Sequence, residues 1–226
     1  MFASLLERLA HSQRWVARVS ICLLASAGLA AALAPAGAVA STRQAASPKS
    51  FFSTAENYTQ LLESVFLIHR LPAWGTALGA KAGALPKLHL VDSGVAGQMT
   101  RITAEKLRRL LPQTLTEYGH LMETFVVNEV LKQASWSAQP VVAGHWRERG
   151  GEEVDLVLER ADGAVAGIAV KAASQVRPGD AAGLIMLARR LGDRWLAGVV
   201  LYAGRHTASL DARLSISALP VDALWS

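Results

Sequence analysis

Two residues able to do chemistry lie in the stretch "GEEVDLVLERADGAVAGIAVKAA", Gly151 to Ala173. Asp155 is a carboxylate and Lys171 an amine. The stretch reads as two short strands joined at Asp162-Gly163, a pair that tolerates positive φ. Side chains alternate along a strand, so positions 169 and 171 face the same way, and the adjacent strand brings Asp155 beside them. Position 169 is alanine. An acid there would set a second carboxylate next to the lysine; a methyl group leaves a gap.

A third candidate is Glu123, in "LTEYGHLMETFVVNEVLKQASW". Helical spacing places Glu123, Val127 and Val130 on one face. An unpaired carboxylate among apolar neighbours is costly, so Glu123 needs a partner: a metal, a lysine or a backbone amide. Glu129 lies about a third of a turn away and reads as exposed.

The elements that must position these residues follow from the pattern. "RITAEKLRRLL" predicts a helix ended by Pro112, with Lys106, Arg108 and Arg109 solvated. A longer helix runs from Leu115 to about Ala134. Strands are expected at 140–148, 152–159 and 164–172. A helix at 180–192 closes at Gly192. The apolar strand "WLAGVVLYAG" reads as buried on both faces, and "RLSISALP" as a last short strand. This is an α/β unit with a mixed sheet.

Upstream, Ser53 or Thr54 caps a helix through "AENYTQLLESV". "VFLIHRL" and "KLHLVDSG" follow as strands of a long-looped hairpin, the ending of a winged-helix module. Lys81 and Lys87 on that hairpin are candidates for phosphate contacts; a hairpin that only packs the two halves together is the other reading. "GTALGAKA" (Gly75–Ala82) lacks the second glycine and the hydroxyl of a nucleotide-binding loop, with Ala80 and Ala82 in their places. No ATP site is expected.

The 226 residues include one cysteine, Cys22, which rules out a disulfide framework or a cysteine-based zinc site. Residues 1–119 hold 12 Lys+Arg against 6 Asp+Glu, a net of +6, whereas residues 120–226 hold 11 against 12, a net of −1. The basic half suits a nucleic acid or an anionic membrane, or else is a dispersed solvated surface. Near its start, "VSICLLASAGLAAALAPAGAVAS" (Val19–Ser41) follows Arg14 and Arg18 and ends in an Ala38-Val39-Ala40 site. That is the pattern of an export signal, and of a membrane contact if the run acts as an anchor. A disturbed reading frame and a buried alanine-rich helix are the competing accounts. Residues 41–53 read as a linker.

Taken together, "LLESVFLIHRLPAW", "PKLHLVDSG", "GHLMETFVVNEVLKQASW" and "EVDLVLE…GIAVKAA…LGDRWLAGVVLY" resemble the uncharacterised C-terminal domain fused to bacterial and archaeal AAA-type ATPases. The resemblance runs from about Thr54 to the end of the chain and lacks the ATPase. It implies a restriction-endonuclease-like PD-(D/E)xK fold, an αβββαβ core with a mixed sheet, preceded by a partial winged helix. The implied division is 1–50 atypical and Ala-rich, 51–100 winged helix and hairpin, and 101–226 nuclease-like. It also implies roles. Asp155 and an acid at 169 would hold magnesium, Lys171 would orient water, and Glu123 matches an extra acid of many members. With Ala169, magnesium would keep Asp155, Glu123 and a displaced Glu153. Alternatively, Lys171 is a strand-end lysine, and Asp155 caps a turn or pairs with Lys171. The expectation is a nuclease-dead, cytoplasmic domain binding nucleic acid or another protein. The alternatives are a magnesium nuclease with a relocated acid and an exported protein.

Overall fold

The computed structural model describes residues 48–75, 85–137, 139–148 and 150–225. Lys81, the Ala-rich segment and most of the Gly75–Ala82 stretch lie outside the described residues.

Helix α1 (Pro48–Ser64) leads into a hairpin of β1 (Ile68–Leu71) and β2 (Lys87–Leu90). The helix starts inside the stretch read as linker, so Ser53 and Thr54 lie within it and not at its cap. The two strands pair antiparallel, with His69 opposite His89. Two short helices follow, α2 (Ser93–Thr100) and α3 (Ala104–Arg108). Asp92 caps α2, its side chain accepting from the amides of Gly94 at 2.7 Å and Val95 at 3.0 Å. The sequence pattern misses α2 because an Asp-Ser-Gly start suggests a turn as readily as a cap. Helix α3 is shorter than its pattern, because Leu110 adopts a left-handed φ of 51° that no α-helix accommodates. Pro112, expected to end that helix, instead opens α4 (Pro112–Ser135), where its missing N–H is no loss.

The sheet strands are β3 (Val141–Arg147), β4 (Glu153–Arg160), β5 (Val165–Lys171), β6 (Trp195–Tyr202), β7 (Ala208–Asp211) and β8 (Ile216–Pro220). Their spatial order is β3-β4-β5-β6-β8-β7. Strands β5, β6 and β8 run parallel, and the outer pairings are antiparallel. The fold is therefore mixed α/β, as expected, with β7 as an additional edge strand. Helix α5 (Ala182–Leu191) makes the crossover from β5 to β6, the connection parallel strands require.

One face of the sheet packs Leu156, Leu158, Ile168, Val199 and Leu201 against Val126, Val127 and Val130 of α4. The other packs Val154, Val157, Ala169 and Val200 against Leu184 and Leu187 of α5. Each buried aliphatic side chain contributes roughly 1.5–3 kcal/mol, so the two layers hold the sheet from both sides.

The hairpin module is tied to this sheet at His145. The Trp74 amide donates to the His145 carbonyl at 2.7 Å, and the His145 amide donates to the Pro72 carbonyl at 2.9 Å. Gly144 permits that approach. A Cβ there would stand 2.8 Å from the Pro72 oxygen and 2.9 Å from Trp74 Cβ. Trp74 then buries its ring, and its Nε1 donates to Glu159 Oε2 at 2.8 Å. Among the described residues no helix is long and apolar enough to cross a membrane.

Candidate functional site

The site begins with an irregularity in β4. Gly144 pairs with Val157, and the next pair is Trp146 with Val154. Asp155 and Leu156 on β4 therefore answer His145 alone on β3, which is a β-bulge. It breaks the alternation: Val154 and Val157 face α5, while Leu156 and Leu158 face α4. Asp155 is the residue released by the bulge, and its carboxylate reaches the α4 side. There Asp155 Oδ2 accepts from the Val170 amide at 2.9 Å. That bond lies beyond the last β4–β5 ladder pair, Leu156 with Ile168. The carboxylate thus satisfies a buried amide that the ladder leaves unpaired.

Asp155 Oδ1 meets Lys87 from the other module. Lys87 Nζ lies 3.0 Å from Asp155 Oδ1 and 2.7 Å from Glu123 Oε1. Glu123 comes from α4, on the face with Val127 and Val130, as its spacing predicts. Of the three partners the pattern left open for it, a lysine is the one the structure supplies. All three side chains are largely withdrawn from water. Burial works against the Lys87 charge, but the Asp155 and Glu123 carboxylates outweigh it and hold the ammonium above its usual range. Glu123 is pushed up, by burial first and by the Asp155 carboxylate second, against the pull of Lys87. Two carboxylates thus share one ammonium, in a place where either acid alone would be costly.

Helix α4 grips β2 along its length. Thr124 Oγ1 and His89 Nδ1 share a hydrogen bond of 3.1 Å. Asn128 Nδ2 donates to the carbonyls of Leu90 at 2.7 Å and Val91 at 3.0 Å. Alternation along β2 turns Lys87 and His89 to this side and leaves Leu88 exposed. His89 is 3% exposed, and its ring stacks on His69 with centroids 5.3 Å apart. The Nε2 atoms of both rings are buried without a partner. Burial, with the nearby His69 and Lys87, lowers the His89 pKa to about 4. Burial also lowers His69, against the pull of Glu63. His145, whose Nε2 lies 3.2 Å from the Leu85 carbonyl, is lowered by burial too.

The other residues singled out by the sequence go elsewhere. Ala169 packs in the apolar layer under α5, 5% exposed. Lys171 leaves β5 on that same side by alternation, and among the described residues it makes no ion pair. Glu153, at the start of β4, lies 3.3 Å from Arg147, and its charge adds to the burial and the Asp155 carboxylate that raise Glu123. Lys87, read as a phosphate contact, is held by the two acids. The structure therefore brings Asp155 and Glu123 together, but around Lys87 in place of Lys171. The sequence signals that could have found this are the i, i+2 placement of Lys87 and His89 on a strand and the unpaired acid on α4.

This arrangement does not fit a magnesium ion. The one point that both carboxylates address carries an ammonium. The position of a further acid, 169, is a methyl group on the opposite face of the sheet. What the three charges accomplish is a buried, hydrogen-bonded clamp between the hairpin and the sheet.

Comparison with known proteins divides the chain at the same place. No curated protein and no solved structure matches it. Residues 51–106, which contribute Lys87 and His89, are similar to a domain of unknown function (DUF8612). Residues 118–224, which contribute Glu123 and Asp155, are similar to another domain of unknown function (DUF4143).

Proposed function

We propose that this chain is a non-catalytic binding module. In this reading the sheet is a restriction-endonuclease-like core related to the domains that accompany AAA-type ATPases, and its acid pair has become structural. The observation that carries the reading is the Lys87 ammonium, 2.7 Å from Glu123 and 3.0 Å from Asp155. A hydrolytic centre of that fold needs a metal where the ammonium stands and a second acid beside its lysine. Here the alanine two residues before the β5 lysine lies in the opposite apolar layer, and alternation turns the lysine to that same side. A buried, hydrogen-bonded clamp suits a scaffold that holds two modules in fixed register for a partner.

The experiment is a cleavage assay on duplex and single-stranded DNA and on RNA, with Mg²⁺ or Mn²⁺, comparing the chain with Asp155→Asn. The expected result is equal background for both proteins. Metal-dependent cleavage by the unaltered chain that Asp155→Asn abolishes would overturn the reading and favour a nuclease with a relocated acid.

A further inference from the structure

Helix α1 shows water an apolar stripe. Tyr58, Leu61, Leu62 and Val65 recur at i, i+3, i+4 and i+7, which is one face of a helix. The Val65 amide donates to the Leu61 carbonyl at 3.2 Å, so helical bonding runs through the last of them. Tyr58 is 64% exposed, Leu61 57%, Val65 54% and Leu62 39%.

The polar residues take the opposite face. Glu56, Gln60 and Glu63 recur at i, i+4 and i+7. Arg70 of β1 binds both acids, its Nη1 2.7 Å from Glu56 Oε1 and its Nε 3.0 Å from Glu63 Oε2. The end of the helix is fixed too. The Phe66 amide donates to the Glu63 carbonyl and the Leu67 amide to the Leu62 carbonyl, both at 3.0 Å, the bonding of a closed C-terminal cap. A surface helix ordinarily buries its apolar stripe and displays its charges. Here that order is reversed, and turning the stripe inward would break both ion pairs and the cap.

We infer that α1 pairs antiparallel with α1 of a second copy of this chain, in a two-fold symmetric dimer. Leu61 and Leu62 meet their counterparts near the axis, and Tyr58 of each copy meets Val65 of the other. A two-fold interface needs a self-complementary patch, and charge selects the occupant. From Thr54 onward the only charged residues of α1 are its two acids, and both turn to Arg70. A second copy therefore brings no like charge to the stripe. Anionic lipid or nucleic acid would find no Lys or Arg there to hold it. Two such faces together remove roughly 1,000 Å² from water, near the lower bound for a specific interface, so the dimer is a reversible one. Pairing through α1 does not depend on whether the acids at Asp155 and Glu123 are structural.

The test is sedimentation equilibrium of the full chain across micromolar concentrations. The unaltered chain should pass from monomer to dimer as concentration rises. Leu61→Glu and Leu61→Lys should each raise the dissociation constant at least about tenfold, because each sets like charges together near the axis. Neither should lower the melting temperature of the monomer, where Leu61 is exposed. Mixing the two variants should restore the dimer, since opposite charges then meet. An unaltered chain that stays monomeric throughout, its stripe left to another segment or another protein, would overturn the proposal. So would a dimer that Leu61→Glu leaves intact, or a pair of variants that fails to associate on mixing.

Discussion

Lys87 Nζ stands 3.0 Å from Asp155 Oδ1, joining the upstream hairpin to the sheet across 68 positions of sequence. The bulge in β4 makes the contact possible by turning Asp155 towards α4. Glu123 completes it from the helix. The consequence is structural first. The hairpin's position depends on a buried charge, and the acids depend on the hairpin.

Removing the ammonium should therefore be costly. Lys87→Met keeps the length of the side chain and leaves two buried carboxylates facing each other. We expect a loss of about 3 kcal/mol in urea unfolding, the scale for breaking a buried pair by one partner. The double change Lys87→Met with Glu123→Gln should recover part of it. Additive losses would show that the two residues do not act together.

Acid should loosen the hairpin through His89. Above its ordinary pKa of 6.5 the ring is neutral in both states and contributes nothing. As pH falls from there to about 4, the unfolded chain takes up a proton that the buried ring does not. Stability falls over that window, by about 3 kcal/mol in total, and levels off below it. Thr124, His69, Lys87, Asp155 and His145 surround the ring. Glu123 acts in the opposite sense: its raised pKa lets the folded state take a proton first and gain stability on acidification. Comparing urea midpoints of the unaltered chain and His89→Phe across the window isolates the histidine. The variant should show the flatter profile.

Much of this fold is legible in the sequence, and the reasons are local. Strands β3 to β6, helix α4 and helix α5 follow from periodicity and turn residues, and spacing alone places Glu123 on the apolar face of α4. The site is less legible. Strict alternation puts Asp155 on the side of Ala169 and Lys171, whereas the bulge at Asp155 moves it to the other face. A one-residue insertion leaves no trace in a hydrophobic pattern. The pairing of Lys87 with both acids is long-range and depends on the approach that Gly144 allows, so no spacing rule reaches it. The left-handed Leu110, which shortens α3 and starts α4 early, is likewise hidden in a run of good helix formers.

Position 169 offers a sharp contrast between pattern and geometry. By motif, Ala169→Glu restores a missing ligand. By structure, it forces a carboxylate into the apolar layer beneath Leu184 and Leu187. We expect destabilisation of several kcal/mol, about the cost of an unpaired buried charge, with no gain in Mn²⁺ binding. A stable variant with new metal affinity would show that 169 faces the acids.

The junction at Gly144 should be equally intolerant. Gly144→Ala places a methyl group 2.8 Å from the Pro72 oxygen, where backbone must shift. We expect a loss of about 1–3 kcal/mol, with faster hydrogen exchange at the Trp74 and His145 amides. Unchanged protection of those amides would mean that the hairpin is not anchored there.

The central claim is that Lys87 fills the cation position between Asp155 and Glu123. Titration of the unaltered chain with Mn²⁺ near neutral pH, followed by calorimetry, tests it most directly. The account predicts no saturable binding to this acid pair, and the same trace for Asp155→Asn. One-site binding in the unaltered chain that Asp155→Asn and Glu123→Gln each remove would contradict it.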